Sequence, residues 1–225
     1  MASFNIWLAR LVIRIILGLY WGASLLNLIQ VHHGEKALRA LRKGKVLIIS
    51  NHPSLLETWL LPALFWRLPE ERVPWTVADQ DLMPKSWAKV FRLILVNRHC
   101  SQKGVMTVNG RAIVQARGVI KRDGNVILYP EGGRTCKGAV ASMLGNRKLR
   151  QVQIRLITNL AQEGVTILPV WVTHGNVESP EGFVRGFWKL FLGTPLVMAF
   201  GQPLTGKVNE ETVTKAILGA GREPD

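Results

Sequence analysis

The sequence predicts an α/β fold: a mostly parallel sheet covered by helices on both faces, preceded by an N-terminal membrane-associated helix. Three observations predict it. Apolar runs of four to eight residues alternate with segments of helical periodicity, the pattern of strands buried on both sides by crossover helices. The chain has 225 residues, 48% of them apolar and 20% charged, which suits one domain with a full core and excludes wholesale disorder. The stretch from Phe4 to Val31 carries only two charges, Arg10 and Arg14. Residues 1–33 are therefore read as an anchoring helix and residues 34–225 as the α/β domain.

The elements follow in order. Ile15 to Val31 is uncharged; as a helix it measures about 26 Å, short of the ~30 Å hydrocarbon core of a bilayer. Trp7, Tyr20 and Trp21 are the aromatics expected at a membrane–water boundary. A helix lying in the interface or in one leaflet fits better than a span, and a cleaved leader does not fit, because the arginines sit inside the apolar stretch. Lys45–Ser50 reads as a buried strand, and about Ser54 to Trp66 as a helix. Val73–Ala78 is a weaker strand, Pro84–Leu93 a short helix and Leu93–Asn97 a strand. Thr107–Arg122 is a helix stopped at Asp123-Gly124, and Asn125–Tyr129 a strand. Arg147–Gln162 is a helix, Val165–Thr173 and Leu196–Phe200 are strands, and Glu210–Leu218 closes with a helix.

The charge balance narrows the partners. Lys and Arg number 29 against 15 Asp and Glu, a net charge of +14 with an isoelectric point near 10.5, while mean hydropathy is +0.14. So basic a chain has an anionic partner, nucleic acid or an anionic membrane surface. Arg10, Arg14, Lys36, Arg39, Arg42, Lys43 and Lys45 lie in or beside the apolar segment against Glu35 alone, which favours membrane lipids over nucleic acid. No zinc-finger or RNA-binding signature accompanies them. Cys100 and Cys136 form no CxxC pair and read as inert thiols. His32-His33 has no second ligand pair at a spacing suited to metal, so no metal site is expected. Gly201-Gln-Pro-Leu-Thr-Gly206-Lys207 mimics a P-loop, but Val208 replaces the hydroxyl residue and Pro203 stiffens the turn.

Three strand ends carry unusual polar groups, and in parallel sheets functional residues gather just past the carboxyl ends of strands. The first is Ser50-Asn51-His52-Pro53-Ser54-Leu55-Leu56-Glu57. On one continuous helix, five residues would leave His52 and Glu57 about 140° apart. Pro53 disfavours helix at His52 and suits a first helical turn, so His52 falls on the strand-to-helix turn and Glu57 on the turn that follows. There a carboxylate can approach the imidazole, fix its tautomer and leave the other nitrogen as a base. Ser54-x-x-Glu57 is equally a capping box, which requires nothing but a helix start. The second site is Arg98, after an apolar strand. The third is Tyr129-Pro130-Glu131-Gly132-Gly133-Arg134-Thr135. Paired glycines let a backbone approach a ligand, and Arg134, oriented by Glu131, can clamp a phosphate; an ordinary Gly-Gly turn with an exposed arginine reads the same way.

Taken together, NHPSLLE, the Arg98 strand end, YPEGGRT and Ile167-Leu168-Pro169-Val170 resemble the glycerolipid acyltransferase family, 1-acyl-glycerol-3-phosphate acyltransferases included, over roughly residues 40–205. The chain departs from the family at Glu57, where Asp is usual, and at Gly133, where Thr is usual. The resemblance implies transfer of a fatty acyl group from an acyl-CoA or acyl-carrier-protein thioester to a lipid hydroxyl. It places the chain at the cytoplasmic face of the inner or plasma membrane and implies no metal or redox cofactor. His52 is then the expected general base and Glu57 its orienting carboxylate. Arg98 and Arg134 are expected to bind the acceptor's anionic head group, with Glu131 and Gly132 shaping that pocket. Lysophosphatidic acid is the expected acceptor and a lyso-aminolipid the alternative; a non-catalytic lipid-binding protein of the same fold is the rival of a different class.

Overall fold

A computed structural model of the chain describes residues 2–52, 57–80, 85–96, 102–130, 151–174, 188 and 195–221. The helices are α1 (Ala2–Leu25), α2 (Gly34–Lys43), α3 (Glu57–Leu64), α4 (Gln102–Lys121), α5 (Gln151–Gln162) and α6 (Glu210–Ala220). The strands are β1 (Ile29–His32), β2 (Val46–Ser50), β3 (Trp75–Asp79), β4 (Leu93–Val96), β5 (Asn125–Leu128), β6 (Thr166–His174) and β7 (Leu196–Phe200). They form one seven-stranded sheet in the order β1-β7-β6-β2-β5-β3-β4. Every neighbouring pair is parallel except β6 with β7, so β1 and β7 run against the other five strands.

Strand side chains point alternately to opposite faces, and the two main cores show it. Val46, Ile48, Ile127, Leu168 and Val170 pack with Leu38 and Leu41 of α2 and with Leu60, Leu61 and Leu64 of α3. Leu47, Ile49, Val126, Leu128 and Ile167 pack with Ala116 and Ile120 of α4, Ile157 and Leu160 of α5, and Val213 and Ile217 of α6. The sheet is thus covered by helices on both faces. All five residues of β2 are buried, which is why its sequence, VLIIS, has no polar alternation.

Local chemistry explains the joints. Gly44 turns the chain from α2 into β2 at φ 81°, where a Cβ would run into the Asp123 carbonyl and the Arg72 guanidinium. Asn125, fully buried, accepts from the Val46 N–H at 3.1 Å and donates to the carbonyls of Leu41 (3.0 Å) and Arg72 (2.6 Å). One amide thereby ties α2, β2 and the segment before β3 to β5. Pro169 sits inside β6 without breaking the ladder. Its carbonyl accepts from Gly201 just past the end of β7, so its missing N–H faces the side where that strand has stopped. Asn209 and Thr212 cap the start of α6 reciprocally, at 2.8 and 3.1 Å.

Most expected elements are present with shifted ends. The expected 84–93 helix is reduced, among the described residues, to a 3-10 turn at Lys85–Trp87. The largest departure is at the front. The helix expected through Val31 stops at Leu25, and Ile29–His32 is an edge strand paired with β7. Residues 1–33 are therefore not one continuous helix. Among the described residues no helix is long and apolar enough to cross a membrane. Residues 201–207 form a loop whose Leu204 exchanges two backbone hydrogen bonds with Ile167.

Candidate active site

β2, β5, β3, β4 and β6 all run one way, so their carboxyl ends share one edge of the sheet. At that edge β2 stops at Ser50, and the next residue replaces the missing ladder with a side chain. Asn51 Nδ2 donates to the Val172 carbonyl at 2.7 Å, and its Oδ1 accepts from the Val172 N–H at 2.6 Å. Val170 pairs with Ser50, so Val172 is where the next β2 residue on that side would have paired. The Asn51 amide stands in for it, fully buried. This allows the backbone to leave the sheet without orphaning Val172.

His52 follows in phase with Val46, Ile48 and Ser50. It is 4% exposed, and its ring stacks on Tyr129 with centroids 4.5 Å apart and planes 27° apart. Tyr129 ends the β5 segment in phase with Ile127 and belongs to the core on that face. With its amide nitrogen turned inward, Gln153 of α5 donates to the Tyr129 carbonyl at 3.1 Å and to that of Pro130. The imidazole thus has an aromatic floor, and the floor is itself tied to a helix.

α3 begins at Glu57 and packs Leu60, Leu61 and Leu64 into the same core that holds Tyr129. The backbone therefore puts the start of α3 on the face of the sheet toward which His52 lies. The Glu57 side chain is outside the described residues, as are Ser54 and the capping box it would form. Arg98, Glu131, Gly132 and Arg134 also lie outside them; β4 ends at Val96 and β5 at Leu128, a few residues before each. His174 closes β6 at the same edge. Among the described residues no cluster of His, Cys, Asp or Glu is able to hold a metal ion.

Beside this edge runs a narrow apolar groove between α1 and α3, lined by Ile13, Leu17, Trp59, Trp66, Phe91 and Leu93. Thr58, next to Glu57, lines it, and its buried hydroxyl has no hydrogen-bond partner among the described residues. Two residues of the site were not singled out from sequence, Asn51 and Tyr129. A polar amide directly after five buried strand residues must have a buried partner, and that was the available signal for Asn51.

Comparison with known proteins bears on the family and the fold. A family model described as acyltransferase matches residues 29–173. The fold is similar to the crystal structure of the 1-acyl-sn-glycerophosphate (LPA) acyltransferase, PlsC, from Thermotoga maritima. The TM-score is 0.54 at 16% sequence identity, over 98% of this chain and 84% of that one. No curated protein sequence matches at a significant level. The family match spans most of the chain, including the strand that presents His52 and the YPEGGRT segment, and on that ground the chain belongs to the acyltransferase family.

Proposed function

We propose that this protein moves a fatty acyl group from a thioester, acyl-CoA or acyl-carrier-protein, to the hydroxyl of a lysolipid at a membrane surface, with 1-acyl-glycerol-3-phosphate as acceptor. The observation that carries the reading is His52: a buried imidazole on a turn clamped by Asn51, floored by Tyr129, on the face where α3 starts at Glu57. His52 takes the acceptor's hydroxyl proton as the oxygen attacks the thioester carbonyl. A C–O bond forms, the C–S bond breaks, and the proton passes to the departing thiolate. Glu57 holds the ring and stabilises the imidazolium. Arg98 and Arg134 hold the acceptor's anionic head group, with Glu131 and Gly132 shaping the pocket. The reaction proposed needs no metal or redox cofactor.

The membrane part of the proposal rests on α1. Its inner face carries Ile13, Tyr20 and Ala23 into the core, while Trp7, Leu11, Ile15 and Leu19, spaced four apart, are exposed with Leu25 and Leu26. An exposed apolar stripe of this length flanked by Arg10 and Arg14 fits a lipid–water boundary; the cytoplasmic face of the inner or plasma membrane is the side that the family resemblance implies.

The test is purified protein incubated with a labelled acyl thioester and total lysolipid extract, the product being identified by mass. An acylated glycerophosphate is expected; an acylated aminolipid would move the acceptor assignment. His52→Ala is expected to lower kcat/KM by roughly 10²–10⁴-fold. Glu57→Gln keeps the capping geometry without the charge, so unchanged turnover in that variant would leave Glu57 a helix cap only.

A further inference from the structure

Away from the His52 edge, the C-terminal half of α1, β1, the start of α2 and Arg67 just after α3 enclose a cleft of about 540 Å³. Three cations converge on it from two elements: Lys36 and Arg39 of α2, and Arg67. All three are exposed, and among the described residues none of them is in an ion pair. Glu35 is the one carboxylate in its lining. Arg67 is not a loose surface cation. Its guanidinium lies over the Trp21 ring, 4.8 Å from the centroid, and Trp21 meets Tyr20 edge-on at 5.6 Å. Tyr20, buried beside it in the cleft lining, has its phenol pushed up by desolvation, a shift opposed by Ser24 and Arg67. Held over the Trp21 ring, the guanidinium is fixed at the cleft, with N–H donors able to meet an oxyanion.

The cleft's position on α1 indicates the source of such an anion. At 100° per residue, Arg10, Arg14 and Trp21 fall within about 40° of one another on the helix. Arg14 stands about 10 Å along the axis from Trp21. The cleft thus continues the cationic flank of the same helix whose adjacent face exposes Leu11, Ile15 and Leu19. A phosphate held here would have its acyl chains beside those residues.

We propose that this cleft binds the phosphate of an anionic bilayer lipid, as a docking site separate from the acyl acceptor's. This rests on the reading of α1 as the lipid-facing helix and adds a defined head-group site to it. The assay is sedimentation of the full chain with phosphatidylcholine vesicles, with or without phosphatidylglycerol. The variant Lys36→Gln/Arg39→Gln is compared with Arg42→Gln/Lys43→Gln, which removes equal charge from α2 outside the cleft. Expected is a loss of ~10-fold or more in binding to the anionic vesicles for the cleft pair, and at most a few-fold loss for the control pair. Arg67→Gln is expected to behave as the cleft pair does and Arg67→Lys to lie between. Equal losses for the two pairs would show diffuse attraction and overturn the site. So would a parent chain that does not distinguish the two vesicle types. Inorganic phosphate binding to the detergent-solubilised chain as tightly as vesicles do would mark a site for soluble anions and overturn the lipid assignment. Acyl transfer in detergent with the cleft variants separates the two readings: turnover there tests His52 chemistry whatever the vesicles show.

Discussion

Asn51→Asp replaces one amide nitrogen by oxygen just past the end of β2 and turns one hydrogen-bond donor into an acceptor. In the parent, the amide donates to the Val172 carbonyl at 2.7 Å and accepts from its N–H at 2.6 Å, at a fully buried position. An aspartate keeps the acceptor but turns a second, charged oxygen toward the carbonyl. Leaving a buried group unsatisfied costs about 1–3 kcal/mol, and more when a charge is involved. The side chain escapes by taking a proton, since the neutral acid donates to Val172 much as the amide does. The folded-state pKa therefore rises above the unfolded value of about 3.9. With a raised folded pKa, the acid's contribution is fully present below about pH 3.9 and is lost as pH rises through the folded pKa. Urea unfolding of both proteins from about pH 4 to 8 reads this out as the difference in stability. The variant's deficit is expected to reach about 2 kcal/mol or more at neutral pH, from the lost bond and the buried charge. It should narrow by about 1.4 kcal/mol per unit as pH falls through the window between the two pKa values. Asn51→Ala leaves both Val172 groups unpaired at every pH, so its deficit should be flat. A deficit for the aspartate variant as flat as alanine's would refute the bidentate clamp.

Three further outcomes are expected. Tyr129→Phe keeps the stack under His52 and should retain acyl transfer within about three-fold, whereas Tyr129→Ala should lose the bulk of activity and about 3–5 kcal/mol of stability; activity assays and denaturant midpoints on both variants decide it. Asn125→Ala orphans one N–H and two carbonyls, and about 3 kcal/mol or more should disappear from the unfolding free energy. Gly44→Ala forces a Cβ onto a left-handed residue against the Asp123 carbonyl. About 2 kcal/mol of strain lowers the thermal midpoint of a chain this size by roughly 4–8 °C.

The sheet was legible in the sequence because its strands are buried on both faces and leave uninterrupted apolar runs, as in VLIIS and NVIL. β1 escaped because IQVH directly continues the apolar helix, and four residues on a sheet edge carry too little pattern to separate from it. α2 was visible as a cluster of cations, not as a helix that buries Ala37, Leu38 and Leu41 beneath them. At the site, His52 stood out by residue type and by its place past a strand. Asn51 and Tyr129 act through long-range partners, Val172 lying 121 residues from Asn51, and no local spacing encodes such a pairing.

The junction between α1 and β1 has a mechanical consequence. Leu26 and Leu28 bond back to Gly22 and Ala23, Asn27 turns at φ 56°, and the strand that follows is laced to β7. No slack joint separates the long helix from the sheet, so whatever surface α1 rests upon sets the height and tilt of the His52 edge like a fixed gauge. Inserting a few glycines after Leu26 would uncouple that setting while leaving every side chain at the His52 edge untouched.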